Sequence, residues 1–172
     1  MLTSTDPAGT LTYSYTNNSD VDTTIDSLTG VTRHYTWDNA GRLNHETDTA
    51  STNTGTATGA TRTYTYDAAS RLLSDTTTTS PAGALTAGLT YTYDAAANLT
   101  STTTTGQLAT PHQQRYTYDA DNRLTREENT TTGDGTDYTW DGVGNRTTLT
   151  RWSGGSSTRT PGSTQTGTPP PS

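Results

Sequence analysis

The side chains with chemical potential are concentrated in one short phrase. Two aromatics flanking a Thr, then Asp, occur at Tyr35-Thr36-Trp37-Asp38, Tyr64-Thr65-Tyr66-Asp67, Tyr91-Thr92-Tyr93-Asp94, Tyr116-Thr117-Tyr118-Asp119 and Tyr138-Thr139-Trp140-Asp141. A weaker copy begins at Tyr13. All ten tyrosines fall in these pairs, as do Trp37 and Trp140, and only Trp152 lies outside. Three chemistries are open to such a set. The aromatic faces suit sugar rings, because an apolar ring with a polar tip works well at a wet surface. The recurrent aspartates could form a ladder of metal or substrate ligands. The arginines that follow the phrase, Arg42, Arg71, Arg123 and Arg146, could grip an anion.

Each of these has a plainer structural counterpart, and the sequence favours it. One Asp per repeat is what turn capping requires, since a carboxylate accepts hydrogen bonds from backbone amides of the turn it opens. The arginines can pair with nearby carboxylates or lie across aromatic rings. The aromatic pairs can pack against neighbouring hairpins as cross-strand pairs. Asp119, Asp121 and Asn122 faintly resemble a calcium loop but lack the rest of the twelve-residue pattern with its distal Glu. His34, His45 and His112 share no ligand spacing, and there is no cysteine. No nucleophile elbow or phosphate loop is present, and Gly133-Asp134-Gly135 reads as a turn. The expectation is a chain without catalysis, cofactor or metal.

The elements that hold the phrase are β-hairpins. Aromatics two apart point to one face of a strand and the Thr between them to the other. Asp ends the strand. Gly41, Ser70, Ala97, Asn122 and Gly144 fall at one turn position, a mixture expected where Gly or Asn is favoured because φ can be positive. Return strands then begin near Leu43, Leu72, Leu99 and Leu124. The phrases start 29, 27, 25 and 22 residues apart, from Tyr35 through Tyr64, Tyr91 and Tyr116 to Tyr138. Strands and turns at such intervals predict an antiparallel all-β sheet of tandem hairpins. Residues 1–10 read as a lead-in, 11–152 as the repeat region, and 153–172, rich in Gly, Ser, Thr and Pro, as a disordered tail. The polar segment around residues 50–61 reads as a connection between hairpins.

Composition sets outer limits. The chain has 172 residues, 26% of them hydrophobic, with no Phe and one Met. Mean hydropathy is −0.85. A typical domain is about half apolar, so this chain has little material for a buried core. Thr fills the gap, and it suits a pleated surface facing water. The net charge of −7 and a pI of about 4.6 argue against nucleic acid, which calls for a basic stripe. No apolar run approaches the roughly 20 residues of a membrane helix. No signal peptide is legible at the N-terminus.

Tyr-x-Tyr-Asp-x-x-Gly-Arg-Leu resembles the YD repeat of RHS proteins. The copies at 35–43, 64–72, 91–99 and 116–124 carry the resemblance. The stretch Asp141 to Arg146, with Gly144, Asn145 and Arg146 in order, is similar to the common Gly-Asn-Arg variant. The motif residues matched are Tyr35, Trp37, Asp38, Gly41, Arg42, Tyr64, Tyr66, Asp67, Arg71, Tyr91, Tyr93, Asp94, Tyr116, Tyr118, Asp119, Arg123, Tyr138, Trp140, Asp141, Gly144 and Arg146. That family includes bacterial polymorphic toxins, components of insecticidal toxin complexes and animal teneurins. The resemblance implies a spiralling β-sheet that forms the wall of an encapsulating shell, and an association with carbohydrate. It also implies a secreted or cell-surface parent whose partners are further repeats and a C-terminal effector. Six hairpins are too few to close a shell, and the core signature that follows the family's repeats is absent. The expectation is a segment of a shell wall. A carbohydrate-binding surface built on the aromatic ladder stands as the alternative, and a gene remnant without function as a third reading.

Overall fold

In the computed structural model, residues 1–7, 9–50, 59–79, 84–107 and 110–154 are described. The expected connection around residues 50–61 lies mostly outside them, as does the expected disordered tail from residue 155 onward. Thirteen strands form among the described residues: β1 Leu2–Asp6, β2 Gly9–Tyr15, β3 Val21–Asp26, β4 Val31–Trp37, β5 Leu43–Ala50, β6 Ala60–Tyr66, β7 Leu72–Thr79, β8 Ala84–Tyr93, β9 Leu99–Thr105, β10 His112–Tyr118, β11 Leu124–Asn129, β12 Asp134–Trp140 and β13 Arg146–Trp152. They are hydrogen bonded in chain order in one open antiparallel sheet. No helix occurs among the described residues. The all-β expectation therefore holds. Two compact units divide the chain, one of Met1–Leu89 with Gly106–Ala109, the other of Thr90–Thr105 with Thr110–Ser172.

Each even-numbered strand from β2 to β12 ends on the second aromatic of a phrase. Each return strand of the four full copies with leucine begins on that leucine: Leu43, Leu72, Leu99 and Leu124. Two elements differ from expectation. The lead-in is a strand, since β1 pairs with β2 from Leu2 opposite Tyr13 to Asp6 opposite Gly9. Its Leu-Thr-Ser-Thr-Asp alternation is too short and polar to stand out, and β2 supplies the partner that makes it extended. The expected turn at 133–135 lies earlier: it spans residues 130–133 and ends on Gly133 with φ 77°, while Asp134 and Gly135 already belong to β12.

A bulge recurs beside the turn. The register shifts between Ser14 and Tyr15, Thr36 and Trp37, Thr65 and Tyr66, Thr117 and Tyr118, and Thr139 and Trp140. One return-strand residue is extra each time: Asp22, Asn44, Leu73, Thr125 and Thr147. The extra residue keeps the second aromatic and the first return residue opposite each other while increasing local twist. Trp37 faces Leu43, Tyr66 faces Leu72 and Tyr118 faces Leu124.

No hydrophobic side chain is buried among the described residues; only Thr86 and Thr136 fall below a tenth exposed among the polar ones. This follows from the composition: a sheet with one aromatic face and one threonine face half-covers its rings with neighbouring strands. Within each unit the strand ladder and side-chain hydrogen bonds therefore carry more of the stability than in a cored domain.

Candidate functional site

The motif residues assemble into a turn repeated along the chain. Asp38 donates its amide to Arg42 O (2.8 Å) and accepts Gly41 N on its carbonyl (3.0 Å). Its carboxylate Oδ1 accepts the amides of Ala40 (2.8 Å) and Arg42 (3.0 Å), and Oδ2 accepts Arg42 Nε (2.7 Å). Asp67 repeats this with Ala69 and Arg71, and Asp119 with Asp121 and Arg123. At Asp141 the partners are Val143 and Asn145. Asp94 binds the amide and side chain of Asn98. In the first hairpin Thr16 takes the Asp position, its hydroxyl accepting the amides of Asn18 and Asp20. Capping accounts for each of these carboxylates. The residue closing the turn is left-handed in every copy: Ser19 at 68°, Gly41 at 73°, Ser70 at 64°, Ala97 at 68°, Asn122 at 60° and Gly144 at 91°. A three-residue loop of this kind, ending on an αL residue, matches the twist of the flanking strands.

The same contacts set the carboxylates' acidity. Asp38, Asp67 and Asp119 are held below the ordinary carboxylate range, chiefly by the amide of the following arginine and then by its guanidinium. For Asp141 the Asn145 side chain comes first, followed by its amide.

Arg42, Arg71 and Arg123 occupy one position, and the structure gives it to Asn98 and Asn145 in the other two turns. Arg146 stands one residue later, opposite Trp140, at the strand-opening position that leucine fills in the four copies before it and Val21 in the first hairpin. Grouping Arg146 with the other three arginines by order along the chain misplaces it, because Asn145 takes the Asp141 carboxylate. The shared position also reaches the next turn. Arg42 Nη1 donates to Asp67 O and Ser70 Oγ (3.1 Å each), Arg123 Nη1 to Asp141 O (3.1 Å), and Asn98 Nδ2 to Asn122 Oδ1 (2.8 Å).

The second aromatic of a phrase ties its hairpin to the one before. Trp37 Nε1 donates to Val21 O (2.8 Å), Tyr66 Oη to Leu43 O (2.9 Å), Tyr118 Oη to Leu99 O (2.9 Å) and Trp140 Nε1 to Leu124 O (2.9 Å). The acceptor is in each case the first residue of the preceding return strand. Tyr and Trp are interchangeable here because each offers a flat ring with one donor at its far edge. The first aromatic reaches three residues further along that strand. Tyr35 Oη meets Thr24 Oγ1 (3.4 Å), and Tyr138 Oη donates to Glu127 Oε1 (2.9 Å). Burial first, then Glu127, raises the Tyr138 phenol above its ordinary value; for Tyr64 the causes are burial and then Glu46. Tyr91 and Tyr93 hold the corresponding places on β8, and Tyr116 on β10. Arg42 lies over the Tyr66 ring (4.7 Å) and Arg62 over Tyr64 (5.1 Å).

Several participants were not legible as site residues. Arg33–Asp48, Arg62–Asp75 and Arg126–Asp137 form bidentate pairs between adjacent strands. Their separations of 15, 13 and 11 residues carry no local signal. Trp152 lies across Gly135, where an added Cβ would come within 2.5 Å of its ring, and Arg126 stacks on it at 5.6 Å. A Trp opposite a Gly in neighbouring strands is the one signal that could have found this pair.

The fold and the turn geometry define a class: an antiparallel sheet of tandem hairpins, each closed by the same capped turn and latched to its predecessor by an aromatic donor. The crystal structure of TcdB2-TccC3-Cdc42 is similar at TM-score 0.50 and 18% identity, over 89% of this chain and 10% of that one. A Photorhabdus luminescens Tc holotoxin pore carrying mutated TccC3 gives 0.48 at 18%, over 84% and 9%. A porin-like protein from Bacteroides uniformis gives 0.49 at 15%, over 84% and 69%. No family model and no curated protein matches the sequence. This chain thus spans about a tenth of the chain it matches in the TcdB2-TccC3-Cdc42 structure.

Proposed function

We propose that the chain is a non-catalytic wall segment of an RHS-type β-shell, built from YD repeats and belonging to a secreted or cell-surface parent protein. The observation that carries this is how the motif is spent. The carboxylates cap turns, and the tips of Trp37, Tyr66, Tyr118 and Trp140 bind main-chain carbonyls of the preceding hairpin. Groups committed to extending a sheet in one direction suit a wall made by adding hairpins. The fold similarity to TcdB2-TccC3-Cdc42, of which the chain covers a tenth, supports the same reading. In such a parent the partners are neighbouring repeats and the enclosed effector.

Alanine at Tyr64 and Tyr66 tests the proposal. A wall segment loses folding, seen as lost sheet signal in circular dichroism, and the unsubstituted protein binds nothing on a glycan array. Specific glycan binding by the unsubstituted protein, lost in a double variant that still folds, would overturn it in favour of a carbohydrate-binding surface.

A further inference from the structure

The residue that follows the capping Asp differs among the turns: Asn39, Ala68, Ala95, Ala120 and Gly142. Only at Gly142 does the next nitrogen belong to a residue without a side chain. A Cβ placed there meets nothing within 4 Å, and Val143 beside it is 84% exposed. The carboxylate is already folded back on its own chain: Asp141 Oδ1 accepts Val143 N (3.0 Å) and Asn145 N (2.8 Å), one and three residues beyond Gly142. The outer oxygen is held by a neutral amide, Asn145 Nδ2 (3.0 Å), where Asp38, Asp67 and Asp119 are clamped by a guanidinium. Asp94 also lacks the guanidinium but is followed by alanine. Asp141 thus combines an unhindered neighbouring nitrogen with a weakly clamped carboxyl group.

We propose that Asp141–Gly142 is a site of backbone isomerisation through a cyclic imide. The Gly142 nitrogen attacks the neutral Asp141 side-chain carboxyl carbon; the new C–N bond forms and one water leaves, made of the carboxyl OH and the amide hydrogen. Water then adds to the α-carbonyl of the ring and breaks its bond to nitrogen. The chain now runs through the side-chain carbon, as isoaspartate, with a free α-carboxylate. No electrons are transferred. The product has one more backbone carbon between residues 141 and 142. The carboxylate can no longer accept both amides, and the closing bond from Asp141 N to Asn145 O (2.9 Å) is lost. The β12–β13 hairpin therefore opens at its turn.

The reacting form is the protonated acid, so the step is fastest at mildly acidic pH. Arg123 donates to the main-chain Asp141 O from the preceding turn, and Arg146 opens β13. The hydrogen bonds from the side chain and then the amide of Asn145 hold the carboxyl in its charged form and slow the reaction at neutral pH. The sequence contains its own control, Asp134–Gly135. There Asp134 Oδ1 accepts Gly154 N (3.1 Å), Oδ2 accepts Thr132 Oγ1 (2.8 Å), and Gly135 is packed under Trp152 in a paired strand.

The whole chain, kept folded at mildly acidic pH, is digested and mapped by fragmentation that separates isoaspartate from aspartate. Incorporation of labelled methyl by an isoaspartyl methyltransferase is read in parallel. The expected result is isoaspartate accumulating at 141 and not at 134, with the difference vanishing in urea. Gly142→Ala, which the open space accommodates, suppresses it while the sheet signal is unchanged. Equal rates at both sites in the folded protein, no product at 141, or a Gly142→Ala variant that reacts as fast would each overturn the proposal.

Discussion

Replacing Tyr66 by Phe and by Ala separates the latch from the ring that carries it. Tyr66 gives its hydroxyl proton to Leu43 O at 2.9 Å and its face to the Arg42 guanidinium at 4.7 Å. Phe removes one neutral hydrogen bond to a half-exposed carbonyl that water can partly satisfy, which costs about 0.5–1 kcal/mol. Ala also removes a half-buried ring, about 1–1.5 kcal/mol on half of a full burial. It removes the guanidinium contact as well, about 0.5–1 kcal/mol at an exposed site. Tyr66→Phe is thus expected to cost about 1 kcal/mol and Tyr66→Ala about 3 kcal/mol, the sum of these contributions. The assay is urea unfolding of the whole chain followed by Trp fluorescence and by far-UV circular dichroism together. Two probes are needed because a repeat protein can unfold in parts. A cycle with Arg42→Ala isolates the ring contact from the other bonds Arg42 makes, and its coupling with Tyr66→Ala should be about 0.5–1 kcal/mol. If Phe costs as much as Ala, the ring contributes nothing and the half-burial argument fails. If Phe costs nothing, the donor to Leu43 does not latch the hairpins.

Other expectations follow from the turns and the sheet. Ala97 sits at φ 68°, so Ala97→Gly should stabilise by about 0.5–1 kcal/mol, relief of left-handed strain outweighing chain entropy, measured as a raised urea midpoint. Gly135→Ala drives a methyl into the Trp152 ring and toward Glu127 O, both 2.5 Å from the Cβ position, and should cost about 1–3 kcal/mol, with altered Trp emission as the marker. Asp38, Asp67, Asp119 and Asp141 have folded pKa values below their unfolded ones. Their contribution is therefore complete above the unfolded carboxylate value of about 4 and is lost as pH falls through the folded values. Acid titration by circular dichroism should show unfolding below about pH 4, and Asp67→Asn should flatten that dependence.

The hairpins were legible because their determinants are local. Tyr64 and Tyr66 two apart, Asp67 after them and Ser70 three residues on are all fixed by backbone geometry within seven residues. The left-handed slot was readable too, from the mix of Gly, Ser, Ala and Asn. The bulge was not, because nothing in Leu72-Leu73-Ser74 says that Leu73 is the unpaired residue until Tyr66 and Thr65 choose partners. Arg146 was misgrouped for a related reason: order along the chain cannot tell which side chain the Asp141 carboxylate will take.

By itself the sequence determined an all-β chain of capped hairpins with its aromatics on one face, because strand alternation and turn chemistry act over a few residues. Tertiary structure alone decided which carbonyl each aromatic latches, which Arg and Asp meet across strands, and that residues 2–6 become a strand. Those outcomes depend on register, and register is a property of two strands side by side. A peptide carrying Tyr66 contains the donor, but the acceptor at Leu43 lies 23 residues earlier and comes within 2.9 Å only when β5 and β6 pair.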